Sequence, residues 1–232
     1  MDKTQHWQTI PTKLSLEQFM QFVFPYLRIG SKDPAPKLAL YVIFNYILKL
    51  LHMGCQWKEL PIERDKEGLP EIHYTRIYRF FRFWEAHGCF AAIFGGLVWQ
   101  LHKNKLLDTS ILHGDGATTA AKKGGDNIGF NGHKKMKGDK VVNFCDRLCN
   151  IIAPFISAPG NKNESPLLRE ALPGVMHMST AIGIDLQGTI ISLDGAYDCR
   201  VNRKAIFNRG MIPNILKETL CRLRPRAMYS SS

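Results

Sequence analysis

Paired cysteine motifs are missing from this sequence: its six cysteines, Cys55, Cys89, Cys145, Cys149, Cys199 and Cys221, are scattered and include no C-x-x-C. The C-x-x-x-C at Cys145 and Cys149 has no matching His or Cys pair, which argues against a zinc site and for reduced thiols in a cytoplasmic protein. Long apolar runs are also lacking. The most apolar window, LALYVIFNYILKLL, is broken by Lys49 and falls short of the roughly 20 residues that a membrane span requires, so it reads as a buried helix and no membrane role is expected. The N-terminal MDKTQHWQTI has no apolar core after its charges, and no export signal is expected. No internal repeat or low-complexity tract interrupts the chain.

Acid is the scarce charge. Twenty Asp and Glu stand against 31 Lys and Arg, a net charge of +11 and a pI near 9.5. A field of that sign attracts polyanions, and nucleic acid is the expected one. The 232 residues, 45% of them hydrophobic, suffice for one large domain or two small ones with a buried core.

Two textures divide the chain. Residues 1 to about 105 are aromatic-rich and read as helices, whereas residues 106 to about 215 alternate strands and helices. Ser15 is placed to cap a helix over SLEQFMQFVFPYL that stops near Pro25. A helix from Leu38 to His52 is ended by Gly54. In EIHYTRIYRFFRFWEAHG, Tyr74, Ile77, Phe81 and Trp84 recur at helical spacing, which predicts a core face. Arg76, Arg79 and Arg82 fall on another face, suited to a DNA groove or backbone, although such a face is as often merely solvated. A further helix is expected from Phe90 to about Leu107.

The later texture opens with a strand in SILHGDGATTAAKKGG. The loop AKKGGDNIGFNGHKKMKGDK interleaves Lys122, Lys123, Lys134, Lys135, Lys137 and Lys140 with glycines, a mobile basic segment fitted to phosphates. VVNFCD, RLCN and IIAPFISAPG read as a β-hairpin, and NESPLLREALP as a short helix begun by Asn163 or Ser165. TAIGIDL and IISLDGAYD, about the turn QGT, bring another apolar strand. RVNRKAIFNRG reads as a helix and MIPNI as a last short strand.

An acid closes each of two apolar strands: Asp115 between Gly114 and Gly116, and Asp194 before Gly195. Asp-Gly is common in turns, so either acid alone is weak evidence. If the strands are neighbours, the carboxylates emerge at one sheet edge as a hard-cation site, and one or two Mg²⁺ ions there would serve phosphoryl transfer. The glycines would then leave room for metal and DNA.

These words together resemble the DDE-type insertion-sequence transposases of the bacterial group numbered five, over residues 15 to about 215. MGCQWKELP is similar to that family's N-terminal signature, and YTRIYRFFRFWEAHG to the helix that follows. HGDGATTAAKKGG resembles the block of the first catalytic aspartate, GHKKMKGDKVVNFCD the basic strand after it, and SAPGNKNESPLL the block after the hairpin. SLDGAYDCRVNRKAIFNRGMIPNI resembles the block of the second aspartate.

The resemblance implies an α/β fold in which a helical DNA-binding region precedes a ribonuclease-H-like mixed sheet with flanking helices. It implies catalytic, metal-binding Asp115 and Asp194, with Mg²⁺ or Mn²⁺ as cofactor. It further implies a bacterial, nucleoid-associated protein that cuts and transfers strands at the ends of a mobile element, with double-stranded DNA as partner, and it allows a homo-oligomer. Asp198 matches a frequent acid after the second aspartate and receives no metal role.

Two departures stand out. Gly195 and Ala196 replace the family's usual Lys-Gly, and the family's downstream glutamate has no counterpart. The tail LKETLCRLRPRAMYSSS, residues 216–232, does not resemble that region, and its Glu218 is a poor candidate for third ligand. The expectation is therefore a transposase incomplete at its C-terminus and inactive alone. It would be one half of a frameshift-split enzyme or a DNA-binding remnant acting as a repressor.

Overall fold

A computed structural model describes residues 12–30, 37–121 and 128–216. The chain divides into two compact units between Leu97 and Val98.

The first unit is helical. Helix α1 (Leu16–Phe22) starts at Ser15 with a reciprocal capping box: Ser15 Oγ accepts from the Gln18 N–H, and the Gln18 side chain accepts from the Ser15 N–H. Pro25 sits in the 3-10 turn Phe24–Tyr26 just beyond it. Helix α2 (Leu40–Met53) ends at Gly54, whose φ of 60° is the left-handed cap that glycine adopts without a Cβ penalty. Helix α3 (Tyr74–Ala86) and helix α4 (Cys89–Lys103) follow.

Phe19, Ile43, Phe44, Ile47, Ile77 and Trp84 form the centre of this unit's core. Phe44 and Phe80 pack on Trp84, which is 1% exposed and donates its indole N–H to the Arg28 carbonyl at 3.2 Å. Tyr46 bridges to the loop after α2, donating to Glu71 at 2.5 Å and accepting from the Glu63 N–H at 2.9 Å. Burial, and then its bond to Glu71, push the Tyr46 hydroxyl up to about 12.

The second unit contains strands β1 (Ile111–Ala120), β2 (Gly129–Asn131), β3 (Met136–Asp146) and β4 (Ile156–Pro159). Helix α5 (Glu164–Ile182), strand β5 (Ile190–Leu193), helix α6 (Arg200–Phe207) and strand β6 (Ile212–Ile215) complete it. β1 and β3 pair antiparallel from Leu112↔Asp146 to Ala120↔Gly138. β2 and β4 lie end to end along the outer side of β3, and β5 and β6 continue the sheet parallel to β1. Three antiparallel positions, then two parallel strands reached through helices, make this a ribonuclease-H-like α/β sheet. Leu112, Val142, Phe144, Leu168, Leu172, Ile191, Ile206 and Met211 are buried in its core.

Several elements run differently from the sequence expectation. β1 does not stop at Asp115 but continues five residues to Ala120, because β3 pairs with it throughout. Much of the presumed lysine loop is the β2–β3 hairpin. Asn131 is buried there, and its Oδ1 accepts from the His133 and Lys134 N–H groups to pin the turn. The short helix is α5, 19 residues long. It begins at Asn163 and carries Pro173 internally, so 180–182 of TAIGIDL are helix rather than strand, and Gly183 caps the end.

A buried acid organises the turn after β3. Asp146 accepts from the N–H groups of Asp108, Leu148 and Asn150 at 2.8–3.0 Å.

Candidate metal and nucleic-acid site

Strand pairing makes neighbours of β1, which contains Asp115, and β5, which Asp194 follows. The β1–β5 register runs Ile111↔Ile190, Leu112↔Ile191, His113↔Ser192, and the paired stretch ends two residues before Asp115 on one strand and two before Asp194 on the other. Leu112, Ile191 and Leu193 are buried, so alternation along the strands turns Asp115 and Asp194 to the opposite, exposed face. Each carboxylate is held locally. Asp115 Oδ1 accepts from the Gly116 N–H at 2.8 Å, and Asp194 Oδ1 accepts from the Ala196 N–H at 3.0 Å, capping the 3-10 turn Gly195–Tyr197.

The glycines beside Asp115 serve packing rather than ligand access. A Cβ on Gly114 would lie 2.6 Å from Leu193 Cδ2 and 2.7 Å from Phe144 Cε1. A Cβ on Gly116 would lie 2.7 Å from the Tyr197 hydroxyl and 2.8 Å from Glu164 Oε2. On the face these glycines present, this unit's own side chains fill the space.

Two residues that sequence reasoning did not single out therefore stand against Gly116. Glu164, at the first turn of α5, pairs with Lys140 of β3 at 3.2 Å. Tyr197 is 0% exposed, and its hydroxyl has no hydrogen-bond partner. Burial pushes that hydroxyl well above its ordinary range, and the charges of Glu164, Asp115 and Asp194 push it further. A buried hydroxyl left unsatisfied costs about 1–3 kcal/mol.

A polar knot fixes the position of Tyr197. Asn202 is fully buried, accepts from Arg169 at 2.6 Å, and donates to Ser165 Oγ and to the Tyr197 carbonyl, both at 2.9 Å. It thereby ties α5, α6 and the turn after β5 together. Asp198 receives Arg203 Nε at 2.7 Å, and that bond raises the Arg203 pKa further.

The basic residues fall into different settings. Arg76, Arg79 and Arg82 are all exposed on α3 while Ile77 and Trp84 are buried, and Arg82 pairs with Glu85 at 2.9 Å. Lys134, Lys135 and Lys137 are exposed on the β2–β3 hairpin. Lys140 is not a loop cation: its side chain is 12% exposed and engaged by Glu164. Lys122, Lys123 and Glu218 lie outside the described residues.

Among the described residues, no three His, Cys, Asp or Glu side chains converge to hold a metal ion. The donor chemistry still suits a hard cation, because Mg²⁺ takes one or two carboxylates and completes its octahedron with water and phosphate oxygens. The described cysteines are free thiols. No described helix is long and apolar enough to cross a membrane.

No family profile matches the chain, and no curated protein matches it. Among solved structures it is similar to the piggyBac transposase in a synaptic complex with hairpin DNA. Identity there is 12% and the TM-score 0.44, covering 93% of this chain and 51% of that one. It is also similar to the Mos1 transposase in a paired-end complex with the left transposon end, at 12% identity and TM-score 0.33, covering 85% and 65%. A Mos1 mariner paired-end complex with Mn gives 12% identity and TM-score 0.32, covering 85% and 64%. The chain thus spans about half to two thirds of the length of these proteins. Strand order and register, independent of these likenesses, define the fold of the second unit.

Proposed function

We propose that this protein is a DDE-type transposase of the insertion-sequence class that binds the ends of a mobile DNA element and cleaves them with Mg²⁺ or Mn²⁺. One observation supports the reading: β1 and β5 are parallel neighbours in a ribonuclease-H-like sheet, and carrying their register two residues past His113↔Ser192 would set Asp115 level with Asp194. In this reading Asp115 and Asp194 hold the cation, and their bonds to the Gly116 and Ala196 N–H groups aim them before it arrives. A bound divalent ion supplies activation of the attacking oxygen and charge stabilisation at the leaving oxygen. The arginines of α3 and the exposed hairpin lysines hold the phosphate backbone, where contacts set orientation rather than sequence.

The test is cleavage of end-bearing duplexes with Mg²⁺ or Mn²⁺, by the wild-type chain and by Asp115→Ala and Asp194→Ala. Cleavage lost in both variants while DNA binding persists is the expected result. Cleavage that survives both would sink the assignment. That no three acids converge among the described residues favours a second reading, a protein that occupies element ends without cutting them. Tight end binding with no cleavage by the wild-type chain would decide for it.

A further inference from the structure

We propose that Phe130 is a base-stacking residue: its ring packs on an unpaired base at the end of a DNA duplex while the lysines of the β2–β3 hairpin hold the phosphates beside it. The proposal rests on the reading that this hairpin meets DNA, and adds what the hairpin does to a base.

The polarity of the hairpin is inverted. Phe130 lies directly opposite Lys137, and Asn131 opposite Met136 one step on. Side chains alternate along a strand, so the two pairs face opposite ways. The polar residue, Asn131, is the buried one at 5% exposure, and the aromatic, Phe130, is the exposed one at 55%. A slip of one residue would bury the ring and free the amide, the arrangement that apolar burial favours.

The fold holds the costlier register all the same. Asn131 donates to Thr118 Oγ1 at 3.3 Å and accepts from the His133 and Lys134 N–H groups, both at 3.0 Å. Gly138 lies against the Thr119 carbonyl of β1, where no Cβ fits, and a Cβ on Gly129 would meet Asn161 Oδ1 at 2.5 Å. A fixed base therefore presents an outward ring, and Phe130 is no part of the core.

The surroundings select the occupant. From Gly129 to Gly138 the sequence carries no acid, and His133, Lys134, Lys135 and Lys137 are all exposed. Nucleic acid offers what this surface lacks, anions for the lysines and a flat apolar face for the ring. Bases stack on aromatic side chains with little regard to sequence, and apolar side chains among cations are found at unstacked base steps. Bases inside a duplex are stacked on both faces, so the ring finds a free face at an unpaired end.

The experiment compares a labelled blunt duplex with the same duplex bearing a short unpaired 3′ tail that contains 2-aminopurine. Binding to the full chain is read by anisotropy and stacking by 2-aminopurine quenching. Phe130→Ala should weaken binding to the tailed duplex at least about fivefold and remove the quenching, with blunt-duplex binding and salt slope unchanged. Phe130→Trp should keep both affinity and quenching. K134A/K135A/K137A should weaken both duplexes alike and flatten the salt slope. If Phe130→Ala binds the tailed duplex like wild type, or weakens both duplexes equally, the ring does not stack on a base and the proposal falls. If the lysine variant also binds like wild type, the hairpin does not meet DNA and the reading beneath the proposal fails as well. Loss of a dimer in sedimentation by Phe130→Ala, with tailed-duplex binding intact, would assign the ring to an interface between copies and overturn the proposal. Should Phe130→Ala lower the melting temperature, Phe130→Trp decides: absent quenching there sinks the proposal, and retained quenching upholds it.

Discussion

The helical unit and the sheet unit use charge in opposite ways. On α3 the cations face water: Arg76, Arg79 and Arg82 are exposed, and only Arg82 has an ion pair among the described residues. In the sheet unit, Lys140 and Arg169 are drawn inward, onto Glu164 and Asn202. The reason lies in what each unit packs. Helices that bury aromatics on one face leave charge on the other. A sheet that sets acids at one edge needs compensating groups beside them. An exposed cation is free to meet a phosphate, whereas an inward one organises its own site.

The contrast is broken most forcefully by mutating the cores. Trp84→Ala should destabilise the helical unit by about 3–5 kcal/mol, the usual loss for a buried large aromatic, read by denaturant titration. The arginine triple variant R76A/R79A/R82A should leave that transition in place. If the triple variant unfolds and Trp84→Ala does not, the two faces of α3 are reversed.

Asn202→Ala tests the inward polar knot. It removes three hydrogen bonds and leaves Arg169 only its longer bond to the Ser165 carbonyl, which should cost about 2–3 kcal/mol. A change below the error of the measurement would mean that the knot does not organise the sheet unit.

A smaller effect is expected in DNA binding. For the arginine triple variant and for K134A/K135A/K137A, affinity should fall. The log–log salt slope should become shallower by about 0.9 for each phosphate that is no longer neutralised. Lys140→Met should leave the slope unchanged, because its ammonium is occupied. Equal slopes in all variants would erase the proposed division between outward and inward cations.

The smallest effect concerns acid stability. Asp108 accepts from the Ser110 hydroxyl and N–H, and these bonds, with the Arg147 charge nearby, lower its pKa below the ordinary 3.8. A folded pKa below the unfolded value adds stability that is present above about pH 4 and fades as pH falls through the folded value. Ser110→Ala should shrink that acid-side loss, seen as a flatter dependence of melting temperature on pH below about 4. An unchanged profile would assign the acid limb to other carboxylates.

Where one rule dominated, local reading of the chain was sound. Ser15 caps α1, Gly54 ends α2, and Ile77 and Trp84 face the core as their spacing requires. Reading failed where a partner strand or helix decided the outcome. The Asp-Gly at Asp115 has the composition of a turn, yet β3 holds it in mid-strand. The glycine-rich lysine stretch resembles a loop, yet Gly138 carries no Cβ because one would run into the Thr119 carbonyl on the neighbouring strand. The pairing of Glu164 with Lys140 is invisible from sequence, since an acid after a capping Asn is ordinary at the start of any helix.

The sequence by itself determined the cationic character, the helical and strand-rich halves, and the two acids on apolar strands, because composition and periodicity are local properties. Tertiary packing alone made β1 and β5 parallel neighbours, set Gly116 against Tyr197 and Glu164, and turned Lys140 inward. Those outcomes depend on register between strands far apart in the chain, which no local pattern encodes.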